Sequence, residues 1–70
     1  MKKTIKEWRE LCHLSQAELA RQTGKTQVTI SLWETGKTKP TKIEDAVKLR
    51  KALMLEAEDS IIVPYDSTFI

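Results

Sequence analysis

The twenty residues from Gln16 to Thr35, QAELARQTGKTQVTISLWET, constrain this chain more than any other stretch. They have room for two short helices and a sharp reversal between them. Leu19 and Ala20 share the inner face of the first helix, and alanine is small enough for a second helix to cross close by. Gly24 falls at the reversal, where glycine reaches a left-handed backbone without a Cβ clash. Thr26 offers a hydroxyl to cap the next helix. Ile30 and Trp33, three apart, give that helix one apolar face.

Two helices joined this way make the pattern of a helix-turn-helix, whose second helix lies in the major groove of DNA. The flanks agree with it. Ser15 and Glu18 form an S-x-x-E capping box ahead of the first helix, and Gly36 ends the second. The loop Gly36-Lys37-Thr38-Lys39-Pro40 is polar and basic, suited to a phosphate backbone.

Taken whole, LSQAELARQTGKTQVTISLWETGKTKP resembles the Cro and lambda-repressor-like family of regulators. The shared pieces are Leu14-Ser15-Gln16, Glu18-Leu19-Ala20, Gly24, Ile30-Ser31, Trp33-Glu34, Gly36-Lys37 and Pro40. Together they are specific, and the likeness runs from about Thr4 to Asp59. It implies an all-α fold, a compact domain of four or five helices that binds double-stranded DNA. Gln16 and Gln27 stand where the family places paired glutamines, and Arg9 and Glu34 where it places a structural ion pair. Thr23 and Lys25 replace apolar residues beside the turn, which predicts looser packing there. His13 and Met54 occupy positions where the family often has glycine. Arg50 intrudes where it tends to have alanine, with Glu56, Glu58 and Asp59 as candidate acids for its charge.

Composition narrows the rest. Seventy residues make one small domain whose core supplies only a few kcal/mol. A single cysteine, Cys12, excludes an internal disulfide, and with one histidine it leaves no metal-ligand set. No nucleophile elbow, phosphate-cradling glycine loop or carboxylate cluster is present, so neither catalysis nor a cofactor is expected. No apolar run approaches a membrane span and no signal-peptide pattern appears; a cytoplasmic location is expected, with no membrane partner. The net charge of +2 hides a division. Residues 1–51 carry all 12 Lys and Arg against six acids, whereas residues 52–70 carry four acids and no base. A basic body suits a polyanion.

Outside the motif, Thr4 can cap a first helix to about Cys12, with Ile5, Trp8 and Cys12 at helical spacing and Leu11 beside them. A fourth helix starts at Thr41, with Ile43, Ala46, Val47 and Leu53 as its apolar positions. Glu56 to Ile62 reads either as a short fifth helix or, given the β-branched run Ile61-Ile62-Val63, as an extended segment. The domain is therefore placed at 1–63, with the motif at 16–35 and a C-terminal tail at 64–70. Tyr65, Phe69 and Ile70 have too little chain to bury themselves.

The expected DNA-binding residues are Gln16, Lys25, Thr26, Gln27, Val28, Thr29, Leu32, Lys37 and Lys39. Gln16 would add an amide donor to the amino end of its helix, an anion site. Gln27 can pair bidentately with adenine, and Val28 can touch a thymine methyl. Thr26 and Thr29 offer hydroxyls, and the three lysines the salt-dependent part of affinity. The function that follows is a small Cro-like repressor of phage or mobile-element type. The resemblance also implies a homodimer, for which the apolar tail from Ile61 to Ile70 is the candidate contact; the alternative for the tail is a frayed terminus. The alternative is an antirepressor: Val28 and Leu32, four apart on one side of the helix, would anchor it to a partner repressor.

Overall fold

The computed structural model describes residues 1–64 and residue 70. Four helices carry the fold: α1 (Ile5–Leu11), α2 (Gln16–Thr23), α3 (Gln27–Thr35) and α4 (Ile43–Ala52). Two three-residue strands, β1 (Lys2–Thr4) and β2 (Ser60–Ile62), pair in parallel with Lys3 opposite Ile61. The fold is all-α in class, with this short ribbon closing one end.

Helices of seven to ten residues are too short to persist alone, so their ends must be satisfied. At the amino ends, Thr4 and Glu7 form one capping box, Ser15 and Glu18 another, and Thr26 accepts from the Thr29 N–H. At the carboxyl ends all four helices close alike, each with a residue of positive φ: His13, Gly24, Gly36 and Met54. After α2, the Lys25 N–H reaches the Ala20 carbonyl and the Gly24 N–H that of Arg21. Lys37 and Gly36 repeat this pairing on Leu32 and Trp33, Leu14 and His13 on Arg9 and Glu10, Leu55 and Met54 on Arg50 and Lys51. This is the Schellman closure. His13 and Met54 thus adopt the backbone that glycine usually supplies.

The core is Ile5, Trp8, Leu19, Ala20, Ile30, Trp33, Leu49, Leu53 and Ile61. Thr23 is buried within it and donates its hydroxyl to the Leu19 and Ala20 carbonyls. The turn is therefore not loosened there, because the helix itself satisfies the polar atom.

Helix α4 departs from the expected pattern. Ile43 is 84 % and Val47 57 % exposed, while Asp45, Leu49 and Leu53 face inward. Helical spacing fits either stripe, and contact with α2 selects the second. The helix starts at Ile43, with Lys42 as its cap, rather than at Thr41.

No fifth helix forms among the described residues. Ile61 and Val63 are buried, and the Trp8 indole donates to the Ser60 carbonyl at 3.0 Å, fastening β2 to α1. Ile70 exchanges two backbone hydrogen bonds with Ile61. A dimer contact by the segment from Ile61 onward is thereby corrected at its start, since Ile61 and Val63 are spent on the protein's own core. Tyr65 and Phe69 lie outside the described residues. Arg50 pairs with none of the three expected acids' side chains: its guanidinium donates to the main-chain carbonyls of Asp59 (2.7 Å) and Glu56 (2.8 Å) and, at 3.3 Å, to the terminal oxygen of Ile70. The Glu56 carbonyl also accepts the Asp59 N–H at 3.0 Å, which closes the turn.

Truncating Trp33 to alanine should destabilise the fold by roughly 3–5 kcal/mol, measured by denaturant unfolding. The capping boxes also predict an acid response. The Thr4 N–H, then its hydroxyl, hold the Glu7 carboxylate below its ordinary 4.5, and Ser15 does the same for Glu18. Lowered folded values stabilise the protein above about pH 4.5, and that stability is lost as pH falls through them. Glu18→Gln should flatten this acid limb in a thermal-melt series; an unchanged limb would count against the box.

Candidate nucleic-acid interface

Two charges join α1 to α3. Arg9, from α1, and Glu34, from the last turn of α3, form a two-pronged pair: Nε to Oε2 at 2.7 Å and Nη2 to Oε1 at 3.2 Å. Their side chains are only 12 % and 5 % exposed. The remaining guanidinium nitrogen, Nη1, donates to the Leu14 carbonyl at 2.9 Å, which fixes the approach to α2.

Glu34 passes the contact on. Its Oε1 also accepts from Gln16 Nε2 at 3.1 Å, at the first residue of α2. Gln16 Oε1 in turn accepts from Gln27 Nε2 at 3.5 Å, at the first residue of α3. A hydrogen-bonded line thus runs Arg9, Glu34, Gln16, Gln27, from the interior to the surface. Gln27 is exposed and keeps one N–H and its carbonyl oxygen. That is the donor and acceptor pair an adenine edge requires.

The other expected residues divide. Val28 is 68 % exposed beside Gln27, but Leu32 is half-buried. The Thr26 and Thr29 hydroxyls lie 2.9 Å apart and bond each other. Lys37 and Lys39 are exposed on the loop after α3.

Lys25 is differently engaged. Its Nζ lies 2.9 Å from Oδ1 of Asp45, a buried carboxylate of α4. That oxygen has no aligned hydrogen bond, so the lysine's charge is what compensates it. The importance of Asp45 had no signal in the sequence, because its partner is twenty positions away on another element. Glu34 as the shared acceptor of Arg9 and Gln16 was equally hidden.

A family model for the helix-turn-helix matches residues 5–58. The chain belongs to this family, of the Cro and lambda-repressor-like type, and is a DNA-binding transcription regulator. Searches of curated proteins and of solved structures found no match. No helix among the described residues is long and apolar enough to cross a membrane.

Removing one partner of the buried pair strands the other's charge. Arg9→Met should therefore cost about 3–5 kcal/mol, and Arg9→Met with Glu34→Leu much less than the sum of the two single changes. Urea unfolding of the three variants measures this.

Proposed function

We propose that this protein is a sequence-specific, Cro-like repressor that reads double-stranded DNA with the amino-terminal turn of α3. The observation that carries the reading is the braced Gln16–Gln27 pair at the shared edge of α2 and α3. A glutamine oriented before binding loses less side-chain entropy when it meets a base. In this reading Gln27 contacts a base edge, and Val28 lies against a thymine methyl. Gln16 and the amino end of α2 meet a phosphate, joined by Thr26 and Thr29. Lys37 and Lys39 follow the backbone. Lys25 has a smaller part, since its charge already answers Asp45.

The antirepressor reading needs Val28 and Leu32 together as an anchor. Half-burial of Leu32 leaves Val28 projecting without its neighbour, which favours the DNA reading.

A fluorescence-anisotropy series on a duplex selected from a random pool tests the roles. Gln27→Ala should cost roughly 1–3 kcal/mol and relax preference at one base pair. Lys37→Ala or Lys39→Ala should weaken all sequences alike and reduce the salt slope by about 0.9 each. Failure to select any sequence, together with capture of a partner that Val28→Asp releases, would establish the other reading.

A further inference from the structure

Helices α2, α3 and α4 meet at one residue, directly before the reading helix begins. Lys25 stands between Gly24, which ends α2, and Thr26, which caps α3. Its N–H donates to the Ala20 carbonyl at 2.8 Å and ties the backbone to α2. Its Nζ lies 2.9 Å from Oδ1 of Asp45, in the first turn of α4. Thr26 follows at once, its hydroxyl accepting the Thr29 N–H and its carbonyl the Ile30 N–H, both at 3.2 Å. Gln27, the proposed base reader, is the next residue and the first of α3.

The rest of the turn does little to hold it against α4. The Thr23 hydroxyl is spent on carbonyls of its own helix. A Cβ added at Gly24 would meet no atom within 4 Å, and the flank of the turn opens on a groove lined by Arg21, Gln22, Lys48 and Lys51. An apolar side chain, which the resemblance places at position 25, could slide along α4 at little cost, because apolar attraction has no direction. The ammonium group is held more strictly. The Asp45 side chain is only 8 % exposed, so moving the lysine away leaves a buried carboxylate without its countercharge.

We propose that Asp45 is a positioning residue for DNA reading, acting through Lys25. The pair fixes where the amino-terminal turn of α3 starts, and so where the Gln27 amide meets a base edge. Lys25 in this role faces α4 and touches no phosphate. The role rests on α3 being the reading helix, and it gives that helix a second brace. The Arg9–Glu34 network reaches Gln27 through the Gln16 side chain, whereas Asp45 reaches it along the backbone from residue 25. A misplaced reader loses the difference between right and wrong sequences. Partial unfolding, by contrast, lowers the apparent affinity for both by the same factor.

Fluorescence anisotropy of the full chain on the selected duplex and on a scrambled one, each over a salt series, tests it. Asp45→Asn, Lys25→Met and the double variant should each lower the ratio of the two affinities roughly tenfold, the discrimination that one bidentate base contact supplies. The double change should lower it no further than either single one, since the two residues act as a unit. The salt slope of Lys25→Met should equal that of the wild type. Asp45→Asn and the double variant strand no buried charge, and circular dichroism checks that their helices are kept at the assay temperature. Equal losses on both duplexes would make the pair structural only and overturn the proposal, as would a wild-type ratio in Asp45→Asn. A salt slope smaller by about 0.9 in Lys25→Met alone would make Lys25 a phosphate contact and overturn it too. A wild type with no sequence preference removes the reading of DNA by α3 and this role with it. A preference kept by the wild type and by every variant removes the role alone.

Discussion

The buried pair of Arg9 and Glu34 is the constraint from which the rest of the surface takes its geometry. Two charges this far from water are tolerable only when their hydrogen-bonding capacity is met, and the planar guanidinium leaves little angular freedom in how that is done. Meeting it joins α1 to the end of α3, and the Leu14 carbonyl to both. The carboxylate then has one further lone pair to offer, and Gln16 takes it. The position of an exposed glutamine on α3 is thus traceable, bond by bond, to a charge on the first helix.

This economy suits a chain with a small core. A small cluster of buried apolar side chains stabilises four helices that would melt in isolation, so little can be wasted at helix ends. Three amino ends are capped by hydroxyls, and all four carboxyl ends by the same backbone pairing. Where glycine is absent from that pairing, at His13 and Met54, the left-handed backbone is retained all the same. The local cost of a Cβ there is outweighed by the carbonyls it satisfies. The ribbon of β1 and β2 does comparable service: it brings buried Ile61 to the core and gives the Trp8 indole an acceptor.

The cations of the loop after α3 lie beside the proposed reading edge, while Lys48, Lys51 and the glutamates after them sit along α4 and its exit. Lys25 belongs to neither group, since Asp45 holds it.

Much of the architecture was legible in the residues themselves. Thr4, Ser15, Thr26, Gly24 and Gly36 announce helix ends because capping is local chemistry, decided within a few positions of the chain. The apolar pairing of Ile30 with Trp33 marks the inner face of α3 for the same reason. On α4, however, two stripes of equal periodicity competed, and only packing against α2 turned Leu49 inward and left Ile43 and Val47 outside. Residues 61–63 were ambiguous between helix and strand until β1 supplied hydrogen bonds to one side of them. The Lys25–Asp45 contact and the hydrogen bonds of Arg50 to main-chain oxygens had no sequence signature. Both are set by which groups happen to face one another across elements distant in the chain. What the sequence alone determined were the features whose energy is local, the turn and the caps. Tertiary structure decided which face of α4 is buried and where each charge ends, because burial and ion pairing depend on neighbours that only folding brings together.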